Sequence, residues 1–325
     1  MASSILITGG TTGLGYQVAI NLARQFPNHH IVLASRTNTN SASDKINHLL
    51  RQRNVSFMHL DLSSASEVRT FISHWSVKNH PPIQYLLLNA GIQLSGPIEY
   101  TKDGYERTFA INHMNQALLL FLLMPYLAYN ARIVITGSGT HDPAQPWPVP
   151  PARYTTAEEL AHPLPEISKQ GSLQFYSASK LASLMWMYAL ERRLSRLRES
   201  GKKQWTVATF DPGMMPGTSL ARDTGFVLSW LFRHILPRCI PLLRIVVGSR
   251  NIHTAEESGR VLAWVVGGEE MKSSSGDYYE GEKVVMSSKE SYDEEKQEEL
   301  WRWTIKNIAE NQEEITRFGM EASVY

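Results

Sequence analysis

Residues 4–15 read Ser4-Ile5-Leu6-Ile7-Thr8-Gly9-Gly10-Thr11-Thr12-Gly13-Leu14-Gly15, and this stretch decides the fold. A short apolar run ends in a glycine-rich turn. Beyond the turn Leu14, Val18, Leu22 and Phe26 recur at every fourth position, which gives a helix one buried face. Strand, glycine turn and helix together form the unit that seats a pyrophosphate, because free amides and the positive dipole end favour an anion. Gly9 permits the tight turn. Gly13 and Gly15 leave out side chains where the anion approaches the backbone and where helix meets strand. Thr11, Thr12 and Leu14 complete the cofactor-binding turn. A glycine trio alone is a weak signal; its place between a strand and an amphipathic helix makes it strong.

The same alternation continues outward. Strands are expected at residues 5–8, 31–35, 55–60, 84–89, 132–136, 205–210 and 283–286, short and nearly all apolar, as in parallel strands covered on both faces. Helices are expected at 41–51, 65–78, 104–128, 175–199, 255–266 and 290–317. The fold class is α/β: one doubly wound Rossmann-type domain over residues 1–325, with a seven-stranded, mostly parallel sheet and helices on both faces. Such folds run to ~250 residues as one domain. The surplus in this 325-residue chain is assigned to an insertion at 140–172, a substrate lid at 214–254 and a C-terminal helix at 290–317. Seven of the sixteen prolines fall within 143–165, so that stretch is read as an extended surface segment.

The end of the second strand reads Ala34-Ser35-Arg36-Thr37. An NAD site wants a carboxylate about 20 residues beyond the glycines to hold the ribose 2′-hydroxyl. None stands here. Arg36 can pair with a 2′-phosphate instead, with Ser35 as a further donor, so the expected cofactor is NADP(H).

Tyr176 and Lys180 stand at i and i+4, on one helix face. Tyr279/Lys283 and Tyr292/Lys296 share that spacing, so the pair alone decides nothing. Order distinguishes the first pair. Asn89-Ala90-Gly91 ends the fourth strand, Asn112 follows, Ser138 lies just past the fifth strand, and Asp211-Pro212-Gly213 follows the sixth. This series, with the glycine turn, resembles the short-chain dehydrogenase/reductase family over roughly residues 4–290. The 38 positions from Ser138 to Tyr176 are similar to the long insertion of its retinol-dehydrogenase-like and protochlorophyllide-reductase-like branches.

The resemblance implies a catalytic set of Asn112, Ser138, Tyr176 and Lys180. A phenol with an ordinary pKa of ~10 is a poor acid or base at neutral pH, and a nearby lysine cation is expected to lower it. Tyr176 would then exchange a proton with a carbonyl or alcohol oxygen, while Ser138 hydrogen-bonds the same oxygen. By the same resemblance Lys180 also holds the nicotinamide ribose and Asn112 orders a water-linked proton path. Asp61 and Leu62 resemble the adenine contact. Asn89, Ala90, Gly91, Pro212, Gly213 and Thr218 complete the cofactor set, with Asn89 read as supporting the sheet edge. Asp61 could equally cap the following helix, and Ser138 could cap a turn. His141 beside Ser138 is read as structural.

Composition narrows the field. Thirty-two basic and 31 acidic residues leave a net charge of +1, which argues against a nucleic-acid partner. One cysteine, Cys239, builds no disulfide framework or metal cluster. No targeting signal is read at Met1–Ser4, and no long uninterrupted apolar run occurs, so the expectation is a cytoplasmic, non-secreted protein. Between 226 and 250 aliphatic and aromatic residues interleave with Arg233, Arg238, Arg244 and Arg250. Such a lid suits a bulky lipophilic or aromatic substrate, a peripheral membrane contact or a homodimer contact. Trp147, Tyr154 and Phe175 are expected at the pocket mouth. The function expected is NADP(H)-dependent carbonyl reduction or its reverse. The alternatives are C=C reduction and a non-catalytic NADP(H) sensor, and the full catalytic set speaks against the sensor.

Overall fold

A computed structural model describes residues 3–168, 171–216 and 239–320. Its elements run β1 (Ser4–Thr8), α1 (Gly13–Gln25), β2 (His30–Ser35), α2 (Ala42–Leu50), β3 (Val55–His59), α3 (Ala65–Val77) and β4 (Ile83–Leu88). Next come α4 (Arg107–Phe109), a π-helical turn (Ala110–Met114), α5 (Asn115–Leu123) and β5 (Leu127–Thr136). After them stand α6 (Ala157–Ala161), α7 (Pro165–Ser168), α8 (Ser172–Glu199), β6 (Thr206–Asp211), α9 (Ile240–Val247) and α10 (Ala255–Gly267). The chain closes with β7 (Asp277–Glu280), β8 (Lys283–Val284), α11 (Glu294–Ile308) and α12 (Gln312–Gly319).

The strands form one sheet in the order β3-β2-β1-β4-β5-β6-β7-β8. Pairing is parallel from β3 to β7 and antiparallel between β7 and β8. The doubly wound expectation holds, with eight strands rather than seven. The seventh parallel strand is Asp277–Glu280, not the expected 283–286. Only Tyr278 and Tyr279 of it are buried, so it lacks the apolar run that marks the other strands. Gly281, at φ +60°, turns the chain back into Lys283–Val284.

Two cores cover the two faces. One packs Leu6, Val32, Phe121, Trp186 and Trp301 among α3, α5, α8 and α11. The other packs Ile5, Ile7, Val18, Leu22 and Val265 beneath α1 and α10. Alternate residues of β1 point to opposite faces, as a two-residue period requires.

Three expectations change. The helix expected at 104–128 runs only from Arg107 to Leu123, through the π-helical turn, and β5 begins at Leu127. The C-terminal helix is broken: α11 stops at Ala309, and the Asn311 side chain caps α12 by accepting the Glu314 amide. Arg69 fixes the break, donating to the Ile308 carbonyl at 3.0 Å and to Glu314 at 2.7 Å. The helix phase is thereby reset, so Phe318 is buried and Ile315 is exposed. The proline-rich stretch is also not wholly extended. Thr156 caps α6 by accepting the Glu159 amide, and α6 buries Ala157, Leu160 and Ala161.

Candidate active site

Strand order reverses between β1 and β4, and a crevice opens there beyond the carboxyl ends of the strands. It holds about 480 Å³. The glycine turn forms its floor. Gly9 and Gly13 have φ of +67° and +54°, a region that penalises side chains. Gly15 is required for another reason: a Cβ there would lie 2.2 Å from the Gly9 carbonyl oxygen. Its role is turn-to-helix contact more than room for an anion. α1 begins after Thr12 with no side-chain cap and no acid in its first turn, so no protein carboxylate competes for its positive end.

Gly9, Thr11, Thr12, Gly13, Leu14 and Gly15 all line the crevice. Ser35 and Arg36 line one end, together with Thr37. The Ser35 hydroxyl is buried there without a protein partner, and among the described residues no acid pairs with the exposed Arg36 guanidinium. Donors left over at this place fit an anionic ligand group. Asp61 and Leu62 line the neighbouring wall. Asp61 accepts the Ser63 amide at 2.8 Å and does not cap α3; the Ala65 amide bonds to Asp103 instead.

Asn89 ties three strands together. Its Nδ2 donates to the Thr8 carbonyl at 2.9 Å and its Oδ1 accepts from the Thr136 hydroxyl at 3.2 Å. The Thr8 hydroxyl in turn accepts the Asn89 and Ala90 amides. Asn89 therefore supports the sheet edge, as read from the sequence, while it, Ala90 and Gly91 also line the crevice.

α8 carries Tyr176 and Lys180 into the crevice, both buried. Lys180 Nζ donates to the Thr136 carbonyl at 2.9 Å and lies 5.8 Å from the centre of the Tyr176 ring. Burial pushes Lys180 down to about 8. Burial pushes the Tyr176 phenol up to about 12; a hydrogen bond with Ser138 opposes this, and the Asp211 charge adds to it. The expected lowering of Tyr176 by its lysine is thus not what the structure presents. The ammonium is committed to a backbone carbonyl, and taking the phenolate out of water costs more than this neighbour returns.

Ser138 ends the β5 turn and also caps it: its oxygen accepts the Thr140 amide at 3.3 Å and the Thr140 hydroxyl at 3.0 Å. Asn112 lies in the π-helical turn, outside the crevice lining. Its side chain grips Ile92 from both sides, accepting the amide at 2.8 Å and donating to the carbonyl at 3.0 Å. It also donates to Ser179, whose hydroxyl donates to the Tyr176 carbonyl. Asn112 thereby pins the β4 extension to α8. His141 uses both ring nitrogens, Nδ1 with the Ser138 carbonyl and Nε2 with the Ser288 amide. It is structural, as expected.

Pro212 lines the crevice, and Gly213 lies just behind it at φ +72°. Thr218, and the lid from 217 to 238, lie outside the described residues. The aromatic mouth is corrected: Tyr154 and Phe175 are buried in the core. Tyr154 donates to Glu299 of α11, which draws the insertion onto the C-terminal helix. Trp147 alone of the three reaches the Ser138 turn; a Cβ on Gly139 would lie 2.5 Å from its indole nitrogen. Sequence reasoning passed over Thr136, Ser179, Asp211 and Asn251. Only Asp211 left a signal, a carboxylate ending a central strand before Pro212-Gly213.

Residues 3–152 match the family model described as short chain dehydrogenase. Human retinol dehydrogenase 13 is 29% identical over 309 residues, covering 92% of this chain and 82% of its own length. Protochlorophyllide reductase of pea is 28% identical over 326 residues, covering 94% and 77%. In fold the chain is similar to a short-chain dehydrogenase from Burkholderia cenocepacia solved with NADP, at TM-score 0.59 and 21% identity, covering 85% of this chain and 94% of that one. Motif order, strand order and the matches to these two enzymes, which span more than nine tenths of the chain, converge: the chain is similar to short-chain dehydrogenases/reductases of the retinol-dehydrogenase and protochlorophyllide-reductase branches.

Proposed function

We propose that this protein is an NADP(H)-dependent reductase of a carbonyl on a bulky lipophilic or aromatic small molecule, folded as one cofactor-binding unit. The observation that carries the reading is Tyr176, buried on α8 and lining the crevice together with Lys180, with its hydroxyl hydrogen-bonded to Ser138. A phenol carries its proton at neutral pH and can give it to an oxygen that gains negative charge. Ser138 hydrogen-bonds the same oxygen and polarises the carbonyl. Lys180 and the Asn112-fixed β4 extension hold the cofactor ribose side in place. Gly9 to Gly15, Asp61, Leu62, Asn89 to Gly91, Pro212, Gly213 and Thr218 complete its seat. The cofactor, when bound, supplies the hydride.

A panel of aromatic ketones, quinones and retinoid- or steroid-like carbonyls with NADPH tests this. Cofactor oxidation with at least one of them is expected, and none with any would overturn it. The same assay separates the second reading, C=C reduction, which similarity to the pea protochlorophyllide reductase favours. In that reaction Tyr176 would protonate carbon, and the product keeps its carbonyl.

Arg36→Asp is expected to weaken NADPH binding by roughly 10- to 100-fold, the worth of a charge-assisted pair with a phosphate, and to shift preference toward NADH. An unchanged preference removes Arg36 from the site. Reduction is also expected to fall as pH rises through about 8, where Lys180 loses its charge, while Tyr176 stays protonated. A rate flat from pH 7 to well above 9 counts against a charged Lys180.

Among the described residues no helix is long and apolar enough to cross a membrane. Helix α9 leaves Leu242, Ile245 and Val246 exposed. The exposed row on α9 supports peripheral contact with a membrane surface, or contact with a second copy. Flotation with liposomes tests the first, and a wholly soluble fraction speaks for the second.

A further inference from the structure

One buried carboxylate behind the catalytic turn has no step in the chemistry above. Asp211 is the last residue of β6 and is 2% exposed. Its Oδ1 accepts the Gly213 amide at 2.9 Å. Its Oδ2 accepts Asn251 Nδ2 at 2.7 Å and the Tyr278 hydroxyl at 3.3 Å. The Gly139 amide donates to it as well. A Cβ on Gly139 would stand 3.0 Å from Oδ2, so a glycine directly after Ser138 is what admits the carboxylate. Among the described residues Asp211 forms no ion pair. Burial pushes its carboxyl up, and the donors pull it back. A protonated acid would turn a donor toward donors, so this cage is built for the ionised form.

The four donors belong to parts that must keep register with one another. Gly139 follows Ser138. Gly213 opens the lid segment and Asn251 closes it. The Met214 amide donates to the Asn251 carbonyl at 2.9 Å, and the His253 amide donates to the Met214 carbonyl at 2.9 Å. The two ends of the lid segment thus run side by side, bridged at Met214 and Ile252. Tyr278 adds β7.

We propose that Asp211 is a positioning residue for proton donation: its carboxylate fixes the Ser138 turn and both ends of the lid segment to one point, and so holds Ser138 in register with Tyr176. This rests on Tyr176 as the proton donor. The charge acts in the same sense on both neighbours from α8, raising Tyr176 and Lys180. From the turn after β5, His141 faces it; buried and hydrogen-bonded at both nitrogens, it is held neutral, and Asp142 acts on Tyr278 and His141 beside it. From β7 come Tyr278 and Glu280, and from the returning lid segment His253, each with its charged form disfavoured by burial.

Asp211→Asn tests the proposal, because it keeps the shape and removes the charge. The alkaline limb of kcat for reduction is expected to move to lower pH by roughly one unit, since Tyr176 and Lys180 both lose a neighbouring negative charge. NADPH affinity, read by fluorescence titration, is expected to stay within about twofold, because the asparagine Oδ1 can still accept the Gly213 amide that Asp211 holds. Asn251→Ala loosens the lid end without changing charge; it is expected to raise KM for the carbonyl and leave the limb in place. A wild-type limb in Asp211→Asn, or an equal limb shift in Asn251→Ala, overturns the proposal. Should Asp211→Asn fail to fold, combining it with Asn251→Asp returns a carboxylate to the same hydrogen-bonded pair. Recovered NADPH binding with a displaced limb then supports the proposal, and no recovery overturns it. If Tyr176→Phe still turns over, the proton-donor reading itself has failed; if that variant is dead and the Asp211→Asn limb does not move, only the role of Asp211 has.

Discussion

Tyr176→Phe is expected to lower the reduction rate by about 10³-fold while leaving NADPH binding within about twofold, the pattern of a lost proton donor. The ring would keep its packing, since the tyrosine is buried on α8 and its neighbours meet the ring as well as the hydroxyl. Only the proton and the hydrogen bond with Ser138 disappear. Neither neighbour can substitute. Ser138 is an alcohol already engaged with Thr140, and Lys180 is tied to the Thr136 carbonyl. His141, next to the Ser138 turn, has no free nitrogen. Turnover of the variant within tenfold of wild type would remove Tyr176 from the chemistry. Parallel loss of NADPH binding would instead assign it to the cofactor seat.

Gly15→Ala is expected to be nearly as damaging by a different route. The added Cβ would lie 2.2 Å from the Gly9 carbonyl oxygen, 2.8 Å from its carbon and 2.7 Å from Asn89 Nδ2. Two of these atoms are backbone, so relief requires α1 to move away from the turn. Overpacking of this kind costs ~1–3 kcal/mol, and it displaces the amides that face the anion. The NADPH dissociation constant is expected to rise by more than about tenfold, with a lower melting temperature alongside. Gly96→Ala is the control: nothing lies within 4 Å of a Cβ there, and its backbone is not left-handed. Undiminished NADPH affinity in Gly15→Ala would show that the turn is not the anion seat.

Much of this was legible in the chain. Ile5 to Gly15 announces strand, turn and helix because each local preference there agrees with the global fold. Six parallel strands were readable for the same reason: five lie inside the sheet and are largely buried and mostly apolar, and β3 at its edge keeps Val55 and Met58 buried. β7 was not readable, because an outlying strand with two buried tyrosines between acids carries no such run. The broken tail helix was also invisible. Its interruption depends on Arg69, which is far away in sequence and grips both sides of the break.

The site divides along the same line. The sequence by itself determined which residue types could do the chemistry and in what order they occur, since Gly, Tyr and Lys at fixed spacing are local facts. It also determined that Arg36 stands where an acid would bind NAD. Only the tertiary structure decided what each group is able to do. It buries Tyr176, so the phenol rises instead of falling. It turns Asn112 toward Ile92 and Ser179, draws Tyr154 into the core and sets Asp211 at the meeting point of turn and lid. The physical reason is that acidity and hydrogen bonding depend on the water removed and the partners supplied by distant segments, and spacing along the chain encodes neither.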